Sequence, residues 1–345
     1  MKTSVLLSGL ALACMAMTAC SNESVLDEAA ASKTIGFRSM VDKESRGSAG
    51  AITTSNIDFF RVFGYFRETG STAAPTNIFD YVGVTKNASS VWEYDNLAYW
   101  AANKDYYFMA FSTNVMGVRP WTYTFPTTDV DTKLAAFDTN KGIGTLHMSN
   151  AGDGASYQPG VYDLVYAYAT RTTDATISNS SNVNLSFNHL MSRVRFKLTN
   201  GIANSAYSID VNNVKLTNTT AEGTYTFANP MEWTAGSGTT EINFPNDGAT
   251  MASGANWTSP ARFILPGTQN LHVSFDATIY VNGTQYTSGT VNVDLGNINF
   301  EIGHSYQFTA SLNEDNISDD DAKPIKFSVT SVANWEDWSD TAMSL

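Results

Sequence analysis

The chain has 345 residues, 43% of them hydrophobic and 12% aromatic, with 20 Lys+Arg against 33 Asp+Glu and a formal net charge of −13. Such a composition is globular rather than disordered, its length suits two domains, and its negative charge excludes binding to a phosphate backbone, so no nucleic-acid partner is expected. Both cysteines, Cys14 and Cys20, lie in the first 20 residues, so the rest of the chain must be stabilised by apolar packing without disulfides.

Residues 1–19 read as an export signal: Lys2 is the only charge, Val5 to Leu12 supply an apolar centre, and small residues follow. The uncharged run from Thr3 to Thr18 is shorter than the roughly 20 residues a membrane span needs. Met17 sits badly before an ordinary signal-peptidase cut, whereas Met17-Thr18-Ala19-Cys20 resembles a bacterial lipobox. That resemblance implies acylation of Cys20 as the first mature residue and an outer-membrane lipid anchor. Loss of residues 1–19 removes Lys2 and no acid, leaving a net charge of −14. Residues 20–32 are small, polar and acidic, a flexible tether.

From Lys33 onward the dominant pattern is alternation with period two, the mark of half-buried strands. It is clear in Val183-Asn184-Leu185-Ser186-Phe187, Val194 to Leu198, Ile209 to Val211, Val214 to Leu216, Val291 to Leu295 and Ile325 to Val329. Leu271 to Val281 is the longest such run, and Asn282-Gly283 behind it predicts a tight hairpin. The best helical candidate is short, Asp129 to Phe137. The expected fold is therefore all-β, with β-sandwiches. The polar stretch from Thr170 to Asn182 predicts a division near 181, giving domains 33–181 and 182–345.

Catalytic signatures are absent from the sequence. His147, His189, His272 and His304 have no metal-ligand spacing, and His189 is expected to bond backbone near a strand end. There is no nucleophile elbow, phosphate loop or dinucleotide fingerprint, so neither an enzyme nor a cofactor is expected. Glu314, Asp315, Asp319, Asp320 and Asp321 lack the spacing of a calcium loop and read as a solvated acidic turn. The seven tryptophans are dispersed and read as core, although exposed coplanar aromatics would favour the rival reading of a carbohydrate-binding surface lipoprotein. A glycosidase, needing two facing carboxylates, is the weaker rival.

Several segments together resemble the fimbrillin family of Bacteroidota surface fimbriae, in its Mfa-like branch. They are Ile35-Gly36-Phe37, Phe60 to Tyr65, Trp92-Glu93-Tyr94 with Tyr99-Trp100, Tyr106 to Phe111, Asp163 to Ala167, Val183 to Val194, Phe300 to Tyr306 and Val329 to Trp335. The resemblance implies two transthyretin-like β-sandwich domains in tandem, other fimbrial subunits as partners, and assembly by strand exchange after an arginine-directed protease removes the first strand. On this chain Lys33 to Met40, with Ile35 and Phe37, would be the displaced strand, and Arg46 the cleavage site, with Arg38 and Lys43 as competitors. Ile325, Phe327 and Val329 would be the donor strand, anchored by Trp335 and Trp338, unless that strand completes its own domain.

Overall fold

A computed structural model describes residues 33–41, 51–149, 158–178, 181–245, 250–317 and 325–332. The fold is all-β. Its one α-helix among the described residues, α1 (Val130–Ala135), is shorter than the periodicity suggests and is preceded by Asp129 at φ 53°. Among the described residues no helix is long and apolar enough to cross a membrane.

The first sheet has seven strands, β1 (Phe37–Val41), β2 (Phe59–Glu68), β3 (Thr76–Lys86), β4 (Trp92–Glu93), β5 (Lys104–Ser112), β8 (Val165–Thr172) and β9 (Val183–His189), in the order β1-β9-β8-β5-β2-β3-β4. Laid flat, β1 and β3 would stand about 24 Å apart at the usual strand spacing. Yet the Phe37 and Phe79 ring centroids are 5.6 Å apart. The sheet therefore curls over itself, and its turning point is the junction of β8 with β9, where only Val165–His189 and Tyr166–Asn188 pair. Inside the curl lie Ile35, Phe37, Phe60, Phe79, Phe108, Leu185 and Phe187.

The outer face of β2, β5 and β8 carries a second core, including Phe63, Met109, Phe111 and Tyr166. A four-stranded sheet covers it, ordered β13-β12-β7-β6 and built from β6 (Trp121–Thr124), β7 (Thr145–Ser149), β12 (Glu222–Thr226) and β13 (Glu232–Ala235). β9 lies past the expected division at 181 but pairs with β1 and β8, and β12 pairs with β7. The polar run 170–182 thus includes a connection within one sheet, and the two halves of the chain exchange strands. A linker-like composition marks a loop and does not say whether the sheet continues beyond it.

The remaining strands form two five-stranded sheets around a third core that includes Phe196, Val211, Leu216, Phe275 and Phe308. One contains β10 (Ser192–Asn200), β16 (Asn256–Thr258), β17 (Arg262–Ile264), β20 (Ser305–Leu312) and β21 (Ser328–Val332). The other contains β11 (Tyr207–Thr220), β14 (Thr239–Phe244), β15 (Thr250–Ala252), β18 (Gly267–Val281) and β19 (Thr284–Phe300).

Local sequence explains these elements. Asn282 and Gly283 take φ 50° and 78°, the two positive values that a type I′ hairpin turn requires. The two expected strands Ile209 to Val211 and Val214 to Leu216 are one strand, β11, whose pairing with β18 shifts register between Asn212 and Lys215. Asn213 at φ 54° is the extra residue, which is why the apolar positions change from odd to even.

Candidate functional site

β1 is an edge strand, parallel to β9 with Phe37 opposite Val183 and Val41 opposite Phe187. Its alternation decides its orientation: Ile35, Phe37 and Val41 are 0%, 3% and 5% exposed, whereas Arg38 and Met40 face outward. The Phe37 ring packs edge-on against Phe60, Phe79, Tyr94 and Phe108, at centroid distances of 5.8, 5.6, 5.7 and 6.2 Å. These rings belong to β2, β3, β5 and the segment behind β4, so one side chain pins the curled sheet together.

Polar contacts fasten both ends of the strand. Ile35 N donates to Ala98 O at 2.9 Å, Trp100 N to Lys33 O at 2.8 Å and Val183 N to Gly36 O at 2.8 Å. The Tyr94 hydroxyl donates to Ile35 O at 2.7 Å, and burial raises its pKa, so it stays a donor at neutral pH. At the far end Val41 N donates to Thr54 Oγ1 at 2.7 Å. A side chain at Gly36 would meet Asn182 Oδ1 at 2.4 Å, so a substitution there requires the Asn182 side chain to move aside.

One inward position fits poorly. Ser39 Oγ is buried and finds no hydrogen-bond partner, although the side chain lies opposite Leu185 in an apolar groove. An unpaired buried hydroxyl carries a desolvation penalty of about 1–3 kcal/mol.

Arg38 is exposed on β1, whereas Cys20, Lys43, Arg46, Trp335 and Trp338 lie outside the described residues. The candidate donor segment sits in its own sandwich: β21 pairs antiparallel with β20 at a sheet edge, Ile325 is buried, and Phe327 packs edge-on to Phe196 at 5.9 Å. Both terminal candidates are therefore edge strands, which can leave a sheet without threading through it.

Of the histidines, His189 is buried at the end of β9, but its Nδ1 lies 2.8 Å from Asp163 Oδ2, a carboxylate where backbone was expected. Asp163 Oδ2 also accepts from Ile52 N at 3.1 Å. Burial of that corner favours pairing of the two groups, although Asp163 Oδ1 is also buried and finds no hydrogen-bond partner. Among the described residues no group of three His, Cys, Asp or Glu could hold a metal ion. Glu314 and Asp315 begin a short 3-10 turn, while Asp319 to Asp321 lie outside the described residues. Trp100, Trp121 and Trp257 are buried and Trp92 and Trp233 half-buried, so the described tryptophans serve packing.

Sequence reading missed the clamps on β1. Thr54 carries no motif of its own, and in the Tyr94–Trp100 turn only the family-like segments Trp92-Glu93-Tyr94 and Tyr99-Trp100 hinted at the clamps.

Among solved structures, the chain is similar to a candidate cell adhesion protein from Bacteroides ovatus, with 16% identity, 88% of this chain and 98% of that one covered, and a TM-score of 0.48. A candidate cell adhesion protein from Bacteroides uniformis has 15% identity, the same coverages and a TM-score of 0.47. The fimbrial anchor protein Mfa2 from Porphyromonas gingivalis has 10% identity, 86% and 97% coverage and a TM-score of 0.36. No curated protein matches the chain. The model of the fimbrillin-like family, however, matches residues 47–335, nearly all of the chain beyond β1, and so the chain belongs to the fimbrillin-like family.

Proposed function

We propose that this chain is an exported subunit of cell-surface fimbriae, supporting adhesion, tethered at first to the outer membrane by lipid on Cys20 and assembled by exchange of β1 for a strand of another subunit. The observation that carries this reading is a match between two edge strands. β1 turns Ile35, Phe37 and Ser39 into its groove, and the terminal segment offers Ile325, Phe327 and Val329 at the same spacing. In that register Val329 replaces the unpartnered Ser39 hydroxyl with an apolar side chain. The match ends at Val41, where the donor has Ser331.

Energetics explain why a cut would be needed. Burying Ile35, Phe37 and Val41 contributes about 5–9 kcal/mol as an upper estimate, at about 1.5–3 kcal/mol each. A donor with a similar stripe gains a similar amount. While β1 stays covalently attached it competes at an effective concentration on the order of millimolar, which a second subunit cannot match. Cleavage at Arg46 removes that advantage, and the vacated β9 edge accepts main-chain hydrogen bonds from the incoming strand.

Arginine-specific digestion of the purified precursor tests this. The expected products are a new N-terminus at Gly47, loss of the β1 fragment and a ladder of oligomers. A chain that yields neither the shortened N-terminus nor oligomers contradicts the proposal.

A further inference from the structure

On the side of β9 that faces away from the β1 groove lies a cleft of about 660 Å³, a size that holds a small ligand. It is walled by β8, β9, the turn after α1, the β12–β13 hairpin and the turn before β20, so the first sheet and the second sandwich both contribute. Its chemistry differs from that of the three cores. Asn184, Ser186 and Asn188 project into it from alternate positions of β9, and Tyr168 and Thr170 from β8. The two groups that carry charge at neutral pH on its rim, Asp138 and Lys141, are of opposite sign and cancel. The remaining ionisable liner besides the tyrosines, His189, is tied to Asp163.

Tyr225 also lines the cleft; it is 0% exposed, and its hydroxyl stands beside that of Tyr166.

From these features we infer that the cleft binds a neutral, hydroxyl-rich ligand of the class of a short oligosaccharide. Amide and hydroxyl side chains both donate and accept, as sugar hydroxyls require. The Tyr168 ring offers an apolar face for the C–H side of a pyranose. A charged ligand would meet no net countercharge, and a purely apolar one would strand the Asn and Ser groups.

Titration of the full mature chain with maltotriose, cellotriose, mannotriose and triacetylchitotriose, followed by saturation-transfer NMR and calorimetry, tests the inference. At least one is expected to bind with a Kd of about 1 mM or tighter, and Asn184→Ala is expected to weaken it at least tenfold. Asn184 is exposed, so this variant keeps its fold; Ser186→Ala, which removes only a hydroxyl from the same face of β9, is expected to weaken binding likewise. Absence of binding by all four sugars at 10 mM, or binding unchanged in both variants, overturns the inference. So does displacement of the sugar by a peptide of residues 325–332, which would make the cleft a strand-binding groove.

Discussion

Replacing Phe37 by alanine is expected to loosen the uncut chain far more than any other single change on β1. The side chain is 3% exposed and meets four aromatic rings, so truncation removes both its transfer energy and its edge-on pairings. Buried Phe→Ala changes cost about 3–5 kcal/mol with such ring pairings included, and four edge-on contacts place the expected loss in the upper part of that range, near 4–5 kcal/mol. That is a third or more of a typical domain's 5–15 kcal/mol, an order-of-magnitude figure. Urea unfolding followed by tryptophan fluorescence reads it, because Trp100 shares the cluster. Met40→Ala on the same strand, at a side chain 50% exposed, should stay within about 0.5 kcal/mol. After cleavage at Arg46 and removal of the β1 fragment, the wild-type and Phe37→Ala chains should unfold alike. A Phe37→Ala loss below about 1 kcal/mol would refute the packing reasoning, since no buried aromatic of this kind leaves so little trace.

Other expectations follow from single sites. Ser39→Val should stabilise the uncut chain by about 1–2 kcal/mol, removing an unpaired buried hydroxyl and burying a methyl; destabilisation in the same urea assay would mean the side chain does not face the groove. Asp163→Ala leaves the buried Ile52 N and His189 Nδ1 without their acceptor and should cost about 3 kcal/mol; a loss under about 1 kcal/mol by thermal or urea unfolding would contradict that. Burial raises the pKa of Tyr65, Tyr123, Tyr166 and Tyr225 above the ordinary 10.0. The unfolded chain then loses phenolic protons at lower pH than the folded one, so the contribution of these four groups to stability should be constant below about pH 10 and fall as pH rises beyond it. Ultraviolet titration should show these phenols ionising only with unfolding; all 16 tyrosines titrating together in a folded chain would contradict the burial.

Strand positions were legible because alternation is imposed locally by the pleat: β9, β10, β18 and the hairpin at Asn282-Gly283 all follow from it, whereas β1 was indicated by the family resemblance. Partnership was not. Nothing in Val183 to Phe187 says that its neighbours are β1 and β8, because pairing is decided by which apolar faces must be covered together. The bulge at Asn213 misled for the same reason, since a phase change looks like a gap between strands unless the partner β18 is seen. Of the candidate site, the inward faces of Ile35 and Phe37 could be read from period two, but the clamps from Thr54 and Tyr94 depend on loops folding back over distance. The Asp163–His189 pair was hidden because its partners stand 26 residues apart.

Cysteine pairing across the groove tests strand exchange most directly. Arg38 stands opposite Asn184 on β9, and in the matched register Ser328 of a donor would take the place of Arg38. In chains with Cys14 and Cys20 changed to serine, Arg38→Cys with Asn184→Cys should close an internal disulfide before cleavage. After cleavage at Arg46, a mixture of Asn184→Cys and Ser328→Cys chains should give a disulfide-linked dimer on a non-reducing gel. Cleaved chains that lose β1 yet never form that dimer, while the internal pair closes as expected, would contradict assembly through this strand.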